Sequence, residues 1–528
     1  MNKKAKNYPL YQHQDFTNFR QLITEKSKSS PDGIAFQYLN HEKRESITYR
    51  HFYQDVSALE AFLNRQGLYG IKIALLSENS YEWILSYFAV VVSGNMIVPL
   101  DKELSNDEIS GLLTHSDAEV LIYSDSYRDI AEDLLRQGRI GKIFNIADFP
   151  AFLKSGRKLI SSGDYVPLEN PADENSVCSI IFTSGTTGKP KGVMLSQKGL
   201  MVDAVNSCRN VYFTGASLLV LPLHHTFAFT AGVLVMLIYG CPICIGKSLR
   251  TFRSDLQVFQ PSHIFLVPLF VENLYNTIWK GVREQGKEKL LKRMIRLSSL
   301  ARKCGVDLRK KLFRSILKQF GGHLELVVSG GAPIKQKYID GLGDIGVQVL
   351  NGYGITECSP VIAVNRNRYF RGNSVGLPVK CCEVKIIDGE ICAKGLNIML
   401  GYYHDEAMTK EVLEDGWFKT GDLGYIDRDG FIYITGRKKN LIILSNGENI
   451  SPEELEERIQ EIEYVKEVVV YAEDGKIVAE IFGEDEERIR EGVKKMNQDL
   501  PLYKQIQKIR FRDAEFEKTN TKKIKRFQ

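Results

Sequence analysis

A loop of hydroxyls, glycines and lysines follows an apolar, strand-like run in this chain. Residues 183–192 read Thr-Ser-Gly-Thr-Thr-Gly-Lys-Pro-Lys-Gly, and Cys-Ser-Ile-Ile-Phe precedes them at 178–182. Glycines let the backbone approach an anion closely, hydroxyl and N–H groups donate hydrogen bonds to it, and lysines neutralise its charge. The segment therefore predicts a polyphosphate-binding loop at the end of a β-strand, with a plain surface turn as the alternative.

The spacing differs from that of the commonest phosphate loop, which has four residues between Gly and Gly-Lys-[Ser/Thr]. Here only Thr186 and Thr187 stand between Gly185 and Gly188, and a proline follows the lysine. Proline lacks an N–H group and is excluded from helix interiors. We therefore expect no helix to begin directly at this loop.

Short apolar runs alternate with helical patterns over about the first 430 residues. The β-like runs lie at 73–76, 96–99, 120–123, 218–221, 264–267, 324–328 and 347–350. Ser105 and Glu108 have the spacing of a capping box for one of the helices between them. This alternation predicts an α/β fold, with a large multi-sheet α/β N-terminal domain.

The pattern changes after Arg437. We predict a strand at 440–444, a helix that opens at Ser451, strands at 465–471 and 476–482 joined by a hairpin turn, and a last helix at 485–498. These elements predict a small, mobile α+β C-terminal domain. The predicted domains are residues 1–436 and 437–528.

Composition is that of a globular protein without a membrane span. The 528 residues are 43% hydrophobic and 26% charged, with a net charge of +5. Glycine, proline and polar residues interrupt the longest apolar runs, 83–100 and 231–246, so we predict that both are buried core. Nine cysteines are too few for a disulfide scaffold, and no apolar signal core follows the basic N-terminus. We expect a cytoplasmic protein.

The loop at 183–192 resembles the phosphate loop of the acyl-adenylate-forming (AMP-binding) superfamily, which includes acyl-CoA synthetases, nonribosomal-peptide adenylation domains and luciferases. Further segments resemble its other motifs in the same order: Leu-Pro-Leu-His-His-Thr-Phe-Ala-Phe at 221–229, Ser-Gly-Gly-Ala-Pro at 329–333, Asn-Gly-Tyr-Gly-Ile-Thr-Glu at 351–357, Trp-Phe-Lys-Thr-Gly-Asp at 417–422 with Gly-Arg at 436–437, and Lys-Thr-Asn-Thr-Lys-Lys-Ile-Lys-Arg at 518–526. Matches that keep this order over most of the chain make the resemblance specific.

The resemblance implies a nucleotide site and a thiol site. The implied binding residues are Thr183, Ser184, Gly185, Thr186, Thr187, Gly188, Lys189, Lys191, Gly331, Ala332, Asn351, Gly352, Tyr353, Gly354, Thr356, Asp422, Arg437, Lys439, Gly447 and Glu448. Glu357 is the implied ligand of Mg²⁺, a hard cation that prefers oxygen donors.

Two further residues have implied catalytic roles. Lys523 matches the catalytic lysine, although Lys522 stands where the family has glycine, so both lysines stay open. His225 matches the histidine that borders the carboxylate substrate, with His224 as its rival.

The implied reaction has two steps. A carboxylate attacks the α-phosphate of ATP to give acyl-AMP and pyrophosphate, and a thiol, most often that of CoA, then displaces AMP. ATP, Mg²⁺ and CoA are therefore the implied cofactors and co-substrates. The family's small domain rotates between the steps about a hinge that matches Lys439, and brings residues 445–449 to a thiol tunnel.

Residues 436–449 and 351–360 look most like those of bacterial long-chain fatty acyl-CoA synthetases. We therefore expect a medium- or long-chain fatty acid as the substrate. Two alternatives stay open: a fatty acyl-AMP ligase that loads an acyl carrier protein, and a non-catalytic AMP or acyl sensor on the same fold.

A basic segment lies outside these motifs. Residues 280–318 carry 14 lysines and arginines against three acids. This excess favours an acidic carrier protein or the anionic inner face of a membrane as a partner, with a solvated helix face as the plain alternative. Nucleic acid is not expected, because no recognition motif accompanies the charge.

Overall fold

The structure is a computed structural model that describes residues 10–41, 43–167, 173–183, 190–246, 248, 250–443, 449–473, 475–518, 524 and 526. The chain folds into two compact units. The first unit takes the chain up to Val384 with Ala393–Phe418 and Arg428–Phe431. The second unit takes Lys385–Cys392, Lys419–Asp427 and Ile432–Gln528.

Helices and strands alternate along the chain. The strands are β1 (Ile34–Asn40), β2 (Lys43–Thr48), β3 (Lys72–Leu76), β4 (Met96–Pro99), β5 (Val120–Tyr123), β6 (Lys142–Asn145), β7 (Val177–Thr183), β8 (Lys191–Ser196), β9 (Ser217–Leu219), β10 (Ile243–Ile245), β11 (His263–Leu266), β12 (Leu326–Ser329), β13 (Gln348–Gly354), β14 (Val361–Val364), β15 (Leu377–Pro378), β16 (Cys382–Ile387), β17 (Glu390–Gly395), β18 (Gly401–Tyr402), β19 (Leu413–Glu414), β20 (Trp417–Ile426), β21 (Ile432–Arg437), β22 (Ile442–Ile443), β23 (Asn449–Ile450), β24 (Val465–Glu473), β25 (Lys476–Gly483) and β26 (Lys508–Arg512).

The α-helices are α1 (Phe19–Ser29), α2 (Tyr49–Arg65), α3 (Tyr81–Val92), α4 (Asn106–Ser116), α5 (Arg128–Arg136), α6 (Phe149–Ser161), α7 (Gln197–Asn210), α8 (Thr226–Phe229), α9 (Val235–Tyr239), α10 (Phe252–Phe259), α11 (Pro268–Glu284), α12 (Glu288–Lys303), α13 (Arg309–Leu312), α14 (Arg314–Leu317), α15 (Gln336–Ile345), α16 (Glu406–Val412), α17 (Pro452–Gln460) and α18 (Glu486–Gln498). The predicted multi-sheet α/β fold class is confirmed.

A seven-stranded sheet of the first unit has the order β18-β8-β7-β4-β3-β5-β6. Its strands from β7 to β6 pair in parallel, whereas β8 is antiparallel to both β7 and β18. A strand rather than a helix therefore follows the predicted phosphate loop, in agreement with the expectation drawn from Pro190.

A nine-stranded sheet, also in the first unit, has the order β15-β14-β13-β12-β11-β9-β10-β1-β2. The central strands β11, β12 and β13 are parallel, so their carboxyl ends meet at one edge. Ligands of open parallel sheets bind outside the carboxyl ends of the strands. This edge carries the motifs at 329–333 and 351–357.

The predicted capping box and the predicted buried apolar run at residue 83 are both present in the first unit. The Ser105 hydroxyl accepts from the Glu108 N–H, and the Glu108 carboxylate accepts from the Ser105 N–H at 2.8 Å, which completes the capping box of α4. The apolar run that begins at residue 83 forms most of α3, and its residues are buried. Among the described residues, no helix is long and apolar enough to cross a membrane.

The basic segment at 280–318 is not one helix. It comprises the end of α11, then α12, α13 and α14. Gly286 and Gly305 follow the ends of α11 and α12 with φ values of 65° and 83°. A left-handed residue stops a helix, and glycine adopts that conformation at little cost.

The second unit contains the hairpin of β24 and β25, with β26 parallel to β25. Leu455 and Ile459 of α17 and Ile489 and Val493 of α18 pack in its core. The predicted strand at 440–444 is present in part: Asn440 lies in the 3-10 turn Lys438–Asn440, Ile442–Ile443 forms β22, and Leu444 lies outside the described residues. Ser451 occupies the N-cap position of α17, but its hydroxyl donates to the Thr435 carbonyl at 2.8 Å instead of capping the helix.

Candidate active site

Thr183 and Lys191 stand directly opposite each other at the base of the predicted phosphate loop. They are the last residue of β7 and the first of β8, and they pair across the antiparallel ladder. The pairing brings a hydroxyl and an ammonium group together at the two ends of the loop. The loop residues between them, 184–189, lie outside the described residues.

Tyr402, which lies outside the predicted motifs, contacts both Lys191 and Glu357. The Tyr402 hydroxyl donates a hydrogen bond to Glu357 Oε1 at 2.8 Å, and Lys191 Nζ lies 5.4 Å from the centre of the Tyr402 ring. Burial, followed by the nearby Glu357 carboxylate, raises the pKa of the Tyr402 phenol well above its usual range. The phenol therefore stays protonated as a donor.

Backbone pairing fixes this cluster, which we call the Lys191–Tyr402–Glu357 cluster. Tyr402 lies on β18, which pairs with β8 at Val193, two residues after Lys191. The Met399 N–H donates to the main-chain oxygen of Glu357 at 2.8 Å. The strand that carries Tyr402 is thus tied both to the exit of the phosphate loop and to the turn that carries Glu357.

The chemistry of Glu357 fits a Mg²⁺ ligand that shares the ion with phosphates. Glu357 lies in the 3-10 turn Thr356–Cys358, just after β13, and it is half-buried. Its Oε2 has no hydrogen-bond partner among the described residues, and no cluster of three or more metal-ligating side chains exists in that part of the chain. Mg²⁺ is commonly held by one or two carboxylates together with substrate phosphates and water.

Residues at and just after the carboxyl ends of β12 and β13, most of them small, are called the wall below. Ser329 and Asn351 pair across these strands, and Gly331 follows the first of them with a φ of 87°. A Cβ at Gly354 would lie 2.0 Å from the Pro360 carbonyl oxygen, so this position needs glycine. Gly352, Tyr353 and Thr356 continue the wall from β13, and Ala332 follows Gly331 from β12.

Asn351 brings an unsatisfied acceptor to this wall. Its Nδ2 donates to the Ser374 carbonyl at 3.4 Å, while its buried Oδ1 has no hydrogen-bond partner among the described residues. A buried polar atom without a partner is costly. An amino group on a ligand would satisfy it, and the adenine of a nucleotide carries such a group.

The two candidate histidines lie side by side in the first unit. The ring centres of His224 and His225 are 4.1 Å apart, and His224 Nε2 lies 3.7 Å from Asp101 Oδ1. Burial and the neighbouring His225 lower the pKa of His224 to about 3, against the opposing effect of Asp101. His224 is therefore neutral near pH 7, and the choice between the two histidines stays a prediction.

Phe227 and Phe229, which follow the histidines, pack in different surroundings. Phe227 packs edge-on against Phe265, and a Cβ at Gly330 would lie 3.2 Å from its ring, so Phe227 borders the wall. Phe229 stacks on Tyr87 with ring centres 3.9 Å apart and is 2% exposed. Phe229 therefore belongs to the aromatic core of the first unit.

Asn79 supports the histidine segment from another element. Its side chain donates to the Leu221 carbonyl at 2.8 Å and accepts from the Leu223 N–H at 3.0 Å. The sequence offered no signal for this role, because Asn79 is a lone asparagine far from residues 221–229.

In the second unit, the buried Asp422 carboxylate forms an ion pair with the more exposed Arg437. They stand opposite each other on β20 and β21, and Arg437 Nε lies 2.7 Å from Asp422 Oδ1. The Asp422 side chain is 6% exposed and that of Arg437 is 42% exposed. Lys439 lies in the 3-10 turn that follows. The arginine thus orients the Asp422 carboxylate.

Several predicted site residues cannot be placed. Ser184, Gly185, Thr186, Thr187, Gly188, Lys189, Gly447, Glu448, Lys522 and Lys523 lie outside the described residues.

Comparison with known proteins decides the family. The AMP-binding enzyme family matches residues 23–403. The chain belongs to the AMP-binding enzyme family. A long-chain-fatty-acid–CoA ligase of Mycobacterium bovis, FadD15, is 28% identical over 520 residues, which cover 91% of this chain and 84% of the relative.

Other relatives of this AMP-binding enzyme differ in substrate and acceptor. A chloroplastic long-chain-fatty-acid–[acyl-carrier-protein] ligase of Arabidopsis thaliana is 27% identical, over 84% of this chain and 73% of the relative. The structure of O-succinylbenzoate coenzyme A synthetase of Bacillus subtilis with ATP and magnesium ion has a TM-score of 0.73 at 22% identity, over 96% of this chain and 98% of that one.

The family fixes the general chemistry of this AMP-binding enzyme. It is an acyl-adenylate-forming ligase, and the ligases of the family use ATP and Mg²⁺ with CoA as co-substrate.

Proposed function

We propose that this AMP-binding enzyme is a long-chain fatty acid–CoA ligase. It joins a medium- or long-chain fatty acid to AMP with release of pyrophosphate, and then transfers the acyl group to the thiol of CoA. The Lys191–Tyr402–Glu357 cluster is the observation that carries this proposal. It combines a cation, a protonated phenol and a carboxylate, which together suit a triphosphate with its Mg²⁺.

Each residue of the cluster has a distinct role in the first step. The attack of a carboxylate on the α-phosphate brings two anions together, and Lys191 offsets part of their charge. Glu357 would hold Mg²⁺, and the ion would supply positive charge against the phosphates. Tyr402 fixes the orientation of Glu357 through its hydrogen bond to Oε1. Thr183 and Thr356 donate to phosphate oxygens from the ends of β7 and β13.

The rest of the nucleotide is assigned residue by residue, as the resemblance implies. We assign the adenine to the small residues at Gly331, Ala332 and Gly352–Gly354, with Asn351 Oδ1 accepting from its amino group and Tyr353 supplying a ring. Asp422 accepts from the ribose hydroxyls, and Arg437 holds that carboxylate in place. From the resemblance, we assign His225 to border the carboxylate of the acid, with His224 as its rival.

The second step requires groups on the small domain. We assign the catalytic cation of the first step to Lys523. We further assign Lys439 as the hinge about which residues 437–528 rotate between the two steps. Gly447 and Glu448 then line the path of the thiol. Rotation about a few residues is a common way to present two sets of groups to one site.

The fatty acid is supported by the relatives and by the apolar surroundings of the site. FadD15 is named a long-chain-fatty-acid–CoA ligase, and Phe227, Phe265 and Val267 give the wall an apolar border. A second candidate, transfer to an acyl carrier protein, is favoured by the Arabidopsis thaliana relative of that name. The short interval between Glu357 and Asp422 weighs against it, because ligases that load carrier proteins usually carry an insertion.

The test is ATP- and Mg²⁺-dependent pyrophosphate release with acids from acetate to stearate, with and without CoA. We expect release that rises with chain length, and acyl-CoA as the product. Acyl-AMP that accumulates without thioester until an acyl carrier protein is added would support the second candidate. Turnover of O-succinylbenzoate or another aromatic acid, but of no fatty acid, would overturn the fatty-acid assignment.

A further inference from the structure

Helix α12, Glu288–Lys303, has an apolar exposed edge that the adenylation site does not use. Its inner face buries Leu291 and Ser298 against the core of the first unit. On the outside, Leu290, Leu297 and Leu300 are 53%, 56% and 61% exposed. Because residues seven and three positions apart share one side of a helix, these leucines form a single stripe.

A row of cations lies beside this leucine stripe. Lys289, Arg293, Arg296 and Lys303 follow helical spacing along the adjacent line and form no ion pair with the described residues. Two other cations of α12 do have partners, since Lys292 pairs with Glu288 at 2.6 Å and Arg302 with Asp344 at 3.2 Å. The leucines and the four unpaired cations together are called the α12 face below.

An open basic hollow continues the α12 face at the start of the helix. It has a volume of about 630 Å³ and is lined by Arg283, Gly286, Glu288, Lys289 and Lys292. Three of these five residues are cations, and the one acid, Glu288, pairs with Lys292, so the hollow carries a net positive charge from Arg283 and Lys289. A hollow of this charge is suited to an anionic head group.

The combination of exposed leucines with unpaired cations narrows the choice of partner. Three neighbouring leucines that are each more than half exposed form an apolar patch, which is typical of an interaction surface rather than of a helix face exposed only to water. Free phosphate would use the cations but not the leucine stripe, whereas an acidic protein with an apolar patch would use both and is separated from a bilayer by the test below. An interfacial helix uses both, because its apolar side chains enter the head-group region while lysines and arginines meet anionic lipids.

We propose that the α12 face docks this enzyme on an anionic lipid bilayer, with the leucine stripe in the interface and the cations on lipid phosphates. The basic hollow would take a single head group. Docking of this kind is reversible and weakens with salt. It does not depend on which acid the enzyme activates, so this proposal and the proposed function can fail separately.

The test is sedimentation of the full chain with vesicles of phosphatidylcholine alone, or mixed with phosphatidylglycerol. We expect pelleting only with the anionic vesicles, and release at high salt. Lys289→Glu/Arg293→Glu should weaken binding at least about 25-fold, because each cation near an anionic surface contributes about fivefold. Leu300→Gln should also weaken binding, and salt should not restore it.

Matched variants test whether the loss of binding is specific to the α12 face or follows from any change of surface charge or of an exposed leucine. Lys154→Glu/Lys158→Glu makes the same charge change with the same spacing on the exposed side of α6. Leu396→Gln changes a leucine that is 63% exposed, close to the value for Leu300. Both variants should bind vesicles as the parent chain does, and all variants should keep their activity on acid dispersed in detergent.

Three results would overturn the proposal. The first is the absence of binding to anionic vesicles at low salt. The second is equal loss of binding in the α6 and α12 charge variants. The third is that the parent chain binds no vesicles, while the α12 charge variant, but not the α6 charge variant, loses turnover with an acyl carrier protein. That result would assign the α12 face to an acidic protein.

Discussion

At the scale of single residues, Tyr402 connects two parts of the site that lie far apart in the sequence. Tyr402→Phe removes the hydrogen bond to Glu357 Oε1 and keeps the ring beneath Lys191. A hydrogen bond to a charged group contributes about 1.5–3 kcal/mol. We expect kcat/KM for Mg²⁺-ATP to fall about 10- to 100-fold in the pyrophosphate-release assay, with a higher Mg²⁺ requirement.

The neighbouring tyrosine provides the control for this prediction. The Tyr403 hydroxyl donates to Asp117 Oδ2 at 2.6 Å, and that carboxylate is largely exposed. Tyr403→Phe therefore removes a similar bond away from Glu357 and should change kcat/KM less than about twofold, because exposed polar pairs contribute little. Equal losses in both variants would show that the Tyr402 hydroxyl has no special role.

The two lysines near the C-terminus can be separated by their effects on the two half-reactions. We expect Lys523→Ala to lower acyl-AMP formation by on the order of 100- to 1000-fold, the usual effect of removing one preorganised charge. Thioester formation from supplied acyl-AMP should be nearly unchanged, because the rotated small domain presents other groups. Lys522→Ala should leave both steps close to the parent rates.

Single-turnover measurements of the two steps check this separation. Equal loss of both steps in Lys523→Ala would contradict the assignment of separate roles. The pattern expected for Lys523→Ala, found instead in Lys522→Ala, would transfer the role to Lys522.

The motifs located some site residues from the sequence, but they did not reveal how those residues contact each other. Thr183, Lys191 and Glu357 were predicted from segments with unusual composition. Tyr402 was missed because its contact with Glu357 depends on the long-range pairing of β18 with β8. The Asp422–Arg437 pair was also missed, because it follows from the register of the β20–β21 hairpin.

At the scale of secondary-structure elements, Gly354 controls how β13 turns toward Glu357. A Cβ at this position would lie 2.0 Å from the Pro360 carbonyl oxygen, and the backbone would have to move. We expect Gly354→Ala to lower the free energy of unfolding by about 2–4 kcal/mol, which is typical of overpacking against backbone. Urea unfolding measures this change.

Gly281 is the matched position for that experiment. It lies within α11, and a Cβ there would have no atom within 4 Å. Gly281→Ala should be neutral or stabilise the protein by up to about 1 kcal/mol, because alanine favours a helix over glycine. A loss below about 0.5 kcal/mol for Gly354→Ala would show that the turn adjusts easily and would contradict the prediction.

The elements that sequence predicted well are those with strong local signals. The capping box of α4 and the buried strands β3 and β5 were found because hydrophobic pattern and caps agree there. The predicted strand at 440–444 is only partly present: Ile442–Ile443 forms β22, whereas Asn440 lies in a 3-10 turn and donates to Glu453 Oε1 of α17 at 2.5 Å, a contact that the local sequence does not reveal.

At the scale of the whole molecule, two buried histidines link stability to pH. Burial lowers the pKa of His263 to about 4, although a contact with the Thr214 carbonyl opposes the shift, and the pKa of His224 is lowered to about 3. In the unfolded chain both return to about 6.5. Unfolding below pH 6.5 therefore takes up protons, so the stabilisation is complete above about pH 6.5 and is lost as the pH falls toward 4.

His263→Gln tests this dependence, because glutamine can keep a hydrogen bond to the Thr214 carbonyl and does not titrate. In the parent chain we expect His263 alone to remove up to about 3 kcal/mol of unfolding free energy between pH 7 and pH 4, from a shift of about 2.5 units. Urea unfolding at several pH values should show a smaller slope in His263→Gln. His323→Gln changes an exposed histidine and should keep the parent slope. Equal slopes in the parent and in His263→Gln would show that His263 takes up no proton on unfolding.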